Sequence, residues 1–203
     1  MPDLFLKIFW KNPIFLALLD MAKSKNLRNH FLITTPQSNE SLFNKGIIYI
    51  CDHSQDGAMG VMINKPIPDI EKVLSKFDLK NISPKPSVYL GGPVDLNKGF
   101  VIHQSDYETN GTIEVSKKIS LTSNLKIISD ILDGNGPNNF RFVLGYSGWG
   151  PGQLENELKH GDWMVLPADQ KLIFNTPDNI MWKTAYMKLG INVGDFGGQS
   201  GIS

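Results

Sequence analysis

The chain has little cysteine and histidine, and this limits the kinds of site that it can build. Cys51 is the single cysteine among 203 residues, so an intrachain disulfide is impossible and a reducing compartment fits. We therefore predict a cytoplasmic protein. The four histidines, His30, His53, His103 and His160, are scattered along the chain. A closed structural zinc site would lack its usual ligands, and we predict that no metal is bound.

Net charge is also absent. Lysine plus arginine and aspartate plus glutamate number 20 each, which gives a formal charge of zero. Such a chain has no overall field to attract nucleic-acid phosphates or an anionic membrane. The basic residues cluster only at Lys23, Lys25 and Arg28 and again at Lys117 and Lys118, too sparsely for a nucleic-acid or lipid surface. A DNA partner stays open but has no support from charge.

Long apolar runs are missing as well. The most apolar stretch, residues 4–19, is interrupted by Lys7, Lys11 and Pro13, so it is too short and too broken to span a bilayer. Asp3 stands where a signal peptide carries positive charge, and no small-x-small cleavage site follows. We expect no membrane partner.

The N-terminal stretch differs in character from the rest of the chain. A polar segment that reads like a natural start begins at Met21, so we predict that residues 1–20 are a dispensable extension. Residues 21–203 contain no linker or repeat, and 41% of the chain is hydrophobic, enough to bury a sizeable core. We predict one domain there.

Apolar patterns predict strands mixed with helices. Apolar, β-branched runs predict strands at 30–34, 46–51, 58–63, 87–90, 100–103, 112–115, 140–145 and 162–166. Helical spacing and start signals predict helices at 69–77, 122–132, from about 151, and at 178–189. Adjacent strand pairs interrupt the alternation, which indicates a mixed sheet and an α/β fold of the α+β kind.

A glycine-dense turn, GYSGWGPGQLENEL, follows the strand predicted at 140–145. No lysine follows the glycines as in a P-loop, Gln153 replaces the last glycine of the dinucleotide fingerprint, and Trp149 interrupts a nucleophile elbow around Ser147. We therefore expect no cofactor. The turn is interpreted either as a tight turn that packs Trp149 against the sheet or as a loop whose free amides hold a ligand.

The pair Cys51 and His53 carries the sharpest catalytic hypothesis. Side chains alternate along a strand, so the two would share a face if the strand continues, and a neighbouring imidazolium activates a thiolate. The alternative is that Cys51 is a buried small apolar residue and that His53 begins a loop. His103 is expected to point inward and to be hydrogen-bonded.

Polar and glycine residues follow several predicted strands. Asn64, Lys65 and Pro66 follow one buried strand, and the Gly91-Gly92-Pro93 turn follows another. Together with the turn at 148–152 they are interpreted as lining one cleft, and the alternative is that each is an ordinary loop. The ligand-binding candidates are Asn64, Lys65, Gly91, Gly92, Trp149, Gly150, Gln153 and Glu157. Glu155 and Glu157 also have a plain interpretation, as first-turn carboxylates that favour the helix dipole.

Six segments, taken together and in order, carry a family resemblance: FLITTPQ, GIIYICDHSQDGAMGVMINKP, VYLGGPV, GFVIH, LGYSGWGPGQLENEL and DWMVLPAD. They closely resemble the YqgE/AlgH family of bacterial proteins over about residues 29–203. The resemblance implies a mixed α/β domain whose bent sheet forms a partly open pseudo-barrel flanked by helices.

The resemblance also picks out motif residues and two departures. The family-like positions are Cys51, His53, Gly57, Gly60, Asn64, Lys65, Pro66, Gly91, Gly92, Pro93, Gly148, Trp149, Gly150, Gln153, Leu154 and Glu157. Ser147 stands where the family usually has alanine, and Asp52 where glutamate is common. The family's link to transcriptional control of exopolysaccharide synthesis implies a regulatory role without supplying a DNA-binding motif.

Three hypotheses on function follow from these observations. The favoured one is a non-catalytic regulatory or binding protein that holds a small ligand or protein partner at the loops around Asn64, Gly92 and Trp149, where an exposed tryptophan would supply contact area. The second is a cysteine-dependent enzyme or redox sensor that uses Cys51 and His53. The third is a DNA-binding regulator, for which the helix predicted at 178–189 offers few basic residues.

Overall fold

The structure, a computed structural model, describes residues 26–36, 42–77 and 86–191. The expectation on residues 1–20 lies outside these ranges. The strands are β1 (His30–Thr34), β2 (Ile47–Ser54), β3 (Gly57–Met62), β4 (Val88–Leu90), β5 (Val94–Gln104), β6 (Thr112–Ser116), β7 (Ile119–Thr122), β8 (Phe140–Trp149) and β9 (Trp163–Pro167). The helices are α1 (Ile70–Lys76), α2 (Lys126–Leu132), α3 (Gln153–His160) and α4 (Asp178–Lys188), and a π-helix spans Lys171–Asn175.

The strands of the described residues form one sheet in the order β6-β7-β5-β8-β3-β2-β1-β9, with β4 beside β8. The β4–β8 pair is parallel and the other pairs are antiparallel. The sheet curls into a half-barrel with helices on its faces, which confirms the predicted fold class. The long strand β8 joins the two halves, because its first part pairs with β5 and its end pairs with β3.

The concave face of the sheet holds the main core. Phe31 of β1 and Val115 of β6 belong to one buried cluster although their strands lie far apart in the sheet order, so this face must be the inner one. The π-helix and α4 cover it with Leu172, Met181 and Tyr186 among others. Apolar residues at these spacings bury one stripe of α4 against the strands.

Two smaller clusters cover the outer face. Leu154 of α3 packs with Ile48, Ile50 and Trp149 over one half of the sheet. Over the other half, α1 and α2 pack Leu74 and Ile128 against β5 and β8. The side chain of Asp69 caps α1 by accepting a hydrogen bond from the Lys72 N–H (3.3 Å), as the sequence predicts.

Some boundaries differ from the prediction. Strand β5 begins at Val94 instead of residue 100. The prediction missed residues 94–98 because they are all exposed and therefore show no apolar pattern. Strand β7 was not predicted and ends at Thr122, and α2 begins at Lys126 instead of residue 122 and has no side-chain cap. Leu132, at the end of α2, is 38% exposed. No helix within the described ranges is long and apolar enough to cross a bilayer.

Candidate functional site

The partly buried carboxylate of Glu157 organises the start of α3. One oxygen of Glu157 accepts hydrogen bonds from the indole N–H groups of Trp149 (2.8 Å) and Trp163 (2.7 Å). The other oxygen accepts from the side-chain amide of Gln153 (2.9 Å), whose own oxygen accepts from the Gly150 N–H (3.1 Å). These bonds tie the end of β8, the first turn of α3 and the start of β9 into one rigid unit.

The glycine turn between β8 and α3 is exposed above this network. Gly148, Gly150, Pro151 and Gly152 all face solvent, whereas Trp149 is only 8% exposed. The expectation of an exposed tryptophan is therefore wrong: the indole needs Glu157 as an acceptor, and this bond turns the ring inward. The alternative interpretation, a turn that packs Trp149 on the sheet, describes this position.

The β2–β3 hairpin lies directly beside the turn. Gly57 has a φ of +131°, and a Cβ at this position would lie 2.1 Å from the carbonyl oxygen of Trp149, so only glycine fits. This contact places the exposed residues Ser54, Gln55 and Asp56 next to the glycine turn. We call the two segments together, residues 54–57 and 148–153, the α3 turn surface.

His53 connects the hairpin to α3. Its Nδ1 accepts a hydrogen bond from the Leu27 N–H (2.8 Å), so Nε2 carries the proton and donates to Oε1 of Glu155 (3.0 Å). The His53 side chain is 2% exposed and that of Glu155 is 44% exposed. Both ring nitrogens are occupied, and the imidazole therefore positions Glu155 instead of serving as a free base.

Cys51 and His53 lie on opposite faces of β2, and the expectation that they share one is wrong. A β-bulge interrupts the pairing of β2 with β3 between Ile50 and Asp52, which shifts the alternation by one residue. Cys51 belongs to the concave core, while His53 pairs with Ala58 of the outer cluster. Burial raises the pKa of the Cys51 thiol far above its ordinary value, mainly by desolvation. The fold thus gives this thiol no means of activation.

Asn64 closes the far end of β3. It is 7% exposed; its side-chain oxygen accepts from the Ile47 N–H (2.9 Å) and its amide donates to the Lys45 carbonyl (2.8 Å). The neighbouring Lys65 donates through Nζ to the Asn44 carbonyl. The Asn64 side chain thus helps to hold β2 and the turn before it against the end of β3.

Gly91 and Gly92 lie beside this end of β3 and are required by packing. The Gly91 carbonyl accepts from the Met62 N–H (2.7 Å). A Cβ on Gly91 would lie 2.2 Å from the Gly145 oxygen, and one on Gly92 would lie 2.3 Å from the Tyr146 carbonyl group. These glycines let the chain after β4 press against β8.

The predicted residues consequently fall into two groups instead of one cleft. Ala58, at the start of β3, pairs with Trp149, whereas Asn64 follows the strand's other end. A strand rises about 3.3 Å per residue, so Asn64 and Trp149 lie about 20 Å apart along β3. Trp149, Gly150, Gln153 and Glu157 share the α3 turn surface or its support. Asn64, Lys65 and Gly91 lie toward the other end of β3, and Gly92 lies between the two groups, against Tyr146 and Ser147 of β8.

A buried polar cluster between the sheet and α4 was not predicted. Arg141 donates to Asp178 (2.7 Å) and to the carbonyls of Ile63 (2.9 Å) and Ile173, and its guanidinium lies over the Tyr89 ring at 4.5 Å. Tyr89 also donates to Asp178 (3.2 Å). A lone arginine inside the apolar run FRFVLG is the signal that could have indicated it. Its partners are mostly backbone carbonyls, so its role is to fix α4 and the π-helix.

In the described part of the chain, three buried side-chain atoms lack a hydrogen-bond partner. They are the hydroxyl of Ser147 (3% exposed), Nε2 of His103 (0% exposed) and Nε of Arg28. His103 donates through Nδ1 to the Gln104 carbonyl (2.7 Å), and burial lowers its pKa. The expectation that His103 points inward and is hydrogen-bonded is confirmed for one nitrogen.

The helix that was considered for DNA recognition packs against the core. Met181, Trp182, Ala185 and Tyr186 of α4 are buried, and both Trp182 and Tyr186 donate to the Thr34 carbonyl at 3.0 Å. Of its lysines, Lys188 pairs with Asp169 (3.0 Å). A recognition helix needs a free polar face with several donors, which α4 does not offer. In the described part of the chain no group of three or more His, Cys, Asp or Glu side chains is arranged to hold a metal.

Comparison with known proteins gives a consistent result. The model of the family described as AlgH-like matches residues 31–194. A UPF0301 protein of Marinomonas sp. (strain MWYL1) is 38% identical over 172 residues, which is 83% of this chain and 92% of the relative. A UPF0301 protein of Pseudoalteromonas translucida (strain TAC 125) is 36% identical over 182 residues, 87% of this chain and 98% of the relative.

Two solved structures have a similar fold. The solution structure of the AlgH protein from Pseudomonas aeruginosa superposes with a TM-score of 0.72 at 32% identity, and covers 88% of this chain and 96% of its own. The crystal structure of protein DIP2367 from Corynebacterium diphtheriae gives a TM-score of 0.65 at 19% identity over 80% of this chain and 86% of its own. The second likeness concerns the fold alone.

Proposed function

The chain belongs to the AlgH-like family, and from the geometry described above we propose that it is a non-catalytic regulatory or binding protein that holds a ligand or protein partner at the α3 turn surface. The observation that carries the proposal is the open space above Gly150. A Cβ on Gly150 would meet only the Gln153 Oε1 atom, at 3.9 Å, whereas a Cβ on the exposed Gly148 would already lie 3.2 Å from the Tyr146 ring. Neither glycine has a positive φ.

Glycine at position 150 therefore answers no demand of the fold. Its effect is to leave the backbone bare, so that a partner can approach the main-chain groups of the turn closely. The turn is also held from below by Glu157 and Trp149, which limits the entropy lost when a partner binds. A bare, preorganised backbone segment is typical of recognition surfaces.

The charges beside the turn favour one kind of partner. The exposed Asp56 and the half-exposed Glu155 are carboxylates, and His53 holds Glu155 in place. A group with positive charge or with several N–H donors would pair with them. Among small molecules this favours amines and guanidines, and among proteins a basic segment.

The Cys51 enzyme is not proposed, since its thiol is buried and separated from His53 by the bulge. A DNA-binding function is not proposed either, because α4 presents its apolar face to the core and because the α3 turn surface carries carboxylates. Both features oppose contact with phosphate.

The test uses NMR titration of the full chain with spermidine and with an arginine-rich peptide. The amide signals of Gly148, Gly150 and Gln153 should shift with saturation, and Gly150→Val should abolish this by filling the open space. Glu155→Gln, which keeps an oxygen for His53, should weaken binding. Glu108→Gln, on the exposed connection between β5 and β6, is the matched control and should bind as the natural chain does.

Two outcomes would contradict the proposal. One is that neither probe nor a wider panel of metabolites shifts these amides, while a cross-linking pull-down also recovers no partner at the surface. The other is that Gly150→Val keeps full binding with an unchanged melting temperature.

A further inference from the structure

Residues from three strands form a row on the concave face of the sheet, at the end next to the α3 turn surface. Asp52 of β2 lies opposite Met59 of β3, and Met59 lies opposite Gly148 of β8. Directly opposite residues of antiparallel strands place their side chains on the same face. Met59 packs against the concave core, and this contact identifies the face of the row as the concave one.

The row continues from β8 to β5. Tyr146 stands two residues before Gly148 and therefore shares its face, and Val94 of β5 lies opposite Tyr146. A Cβ on Gly148 would lie 3.2 Å from the Tyr146 ring, so the ring lies directly beside the bare backbone of this glycine. We call the set of five residues the rim row: Asp52, Met59, Val94, Tyr146 and Gly148.

The middle of the rim row is apolar and accessible. Met59 and Tyr146 are partly buried against the concave core, and Val94 is 39% exposed. The buried Phe100 ring supports the Tyr146 ring edge to face, with 6.0 Å between the ring centres. An aromatic group placed on this surface would be stabilised, because the contact removes apolar area of both partners from water and because thioether sulfur and aromatic rings attract each other.

The two ends of the rim row have opposite charges. At the β2 end Asp52 is exposed, and the exposed Asp56 of the same hairpin belongs to the α3 turn surface. At the β5 end the Lys98 ammonium lies over the Phe100 ring, 5.2 Å from its centre. A basic residue of a partner is therefore attracted to the β2 end and repelled from the β5 end. An apolar residue next to it then lies over the middle of the row.

We propose that the partner of the α3 turn surface is a basic protein segment with an aromatic side chain, and that this segment lies along the rim row with its aromatic group on Met59 and Tyr146. The inference rests on the proposed function and narrows it to one class of partner. Neighbouring strands lie about 4.8 Å apart, so the row spans about 10 Å from β2 to β8. An extended segment covers this length with about three residues, whereas a small amine reaches only one end.

The experiment titrates the full chain with two peptides that differ at one position. One is Arg-Arg-Gly-Phe-Gly, and the other has alanine in place of the phenylalanine. Both should shift the amide signal of Gly150 in NMR spectra, but only the first should shift the side-chain methyl signal of Met59. The phenylalanine peptide should bind about tenfold more tightly, because about half of its aromatic side chain leaves water on binding.

Met59→Gln keeps the length of the side chain but makes it polar, and it should remove the advantage of the phenylalanine peptide. Met187→Gln, at an exposed methionine of α4, is the matched control and should keep this advantage.

Equal affinity for the two peptides would overturn the inference, and so would an advantage that persists in a folded Met59→Gln variant. In either case, shifts of the Gly150 amide would still support the proposed function. Absence of any shift at Gly150 with both peptides contradicts the proposed function and the inference with it. If Met59→Gln does not fold, the comparison of the two peptides on the natural chain still decides.

Discussion

Removal of the Glu157 carboxylate should loosen the support of the α3 turn surface. In Glu157→Ala, the indole N–H groups of Trp149 and Trp163 lose their acceptor while the rings remain 8% and 9% exposed. An unpaired buried donor costs about 1–3 kcal/mol, so the two together should cost about 4 kcal/mol. In a chain of this length, that change lowers the melting temperature by about 8–16 °C.

Glu157→Gln is a more conservative substitution that tests the same reasoning. Its remaining oxygen can still accept from both indoles, but its amide faces the Gln153 amide, which is also a donor. We expect the free energy of unfolding to fall by about 2 kcal/mol, because one charge-assisted hydrogen bond is lost and two become bonds between neutral groups.

The assay is urea unfolding followed by circular dichroism, together with ¹⁵N NMR of the indole N–H signals. Glu108→Gln, an exposed carboxylate, should change the free energy of unfolding by less than about 0.5 kcal/mol. If Glu157→Ala also stays within this range and the Trp149 and Trp163 indole signals do not move, the network does not support the turn.

Three further predictions concern buried groups. Ser147→Ala removes a hydroxyl without a partner and should raise the free energy of unfolding by about 1 kcal/mol, measured in urea; a clear loss would contradict this. Because burial lowers the pKa of His103, the unfolded chain binds its proton first, so stability should fall as the pH drops below about 6.5. His103→Asn should lack this part of the pH dependence. Parallel curves of stability against pH for the variant and the natural chain would refute the prediction. Cys51, whose pKa burial raises, should resist iodoacetamide at about pH 8.5 in the folded protein and react in urea; rapid alkylation of the folded protein would contradict this.

The sequence predicts much of the sheet because its buried strands are continuous apolar runs. The β2 and β3 runs and the α1 stripe are readable from periodicity alone. The first half of β5 cannot be predicted in this way, because residues 94–98 are exposed on both faces of the strand. The bulge after Ile50 cannot be predicted from the sequence either, because it depends on the register of β2 with β3. This bulge places Cys51 and His53 on opposite faces of β2.

The candidate site was predictable only in its local part. Gln153 and Glu157 stand four apart on one helix, so their contact follows from spacing. The two indoles that bind Glu157 come from β8 and β9, and no spacing rule connects these strands. The contact between Arg141 and Asp178 is of the same kind, because the two residues are far apart in the sequence and come together only in the folded protein.

The pairing of β9 with β1 also affects the order in which the strands can pair during synthesis. Thr34 lies opposite Trp163, so a chain leaving the ribosome exposes the backbone edge of β1 until β9 (Trp163–Pro167) has been synthesised. Closing so long a loop costs conformational entropy that nearby hairpins such as β2–β3 do not incur. An uncovered strand edge pairs readily with other chains. We therefore expect β9 and α4 to dock late, and nascent chains to be most prone to aggregate just before they do.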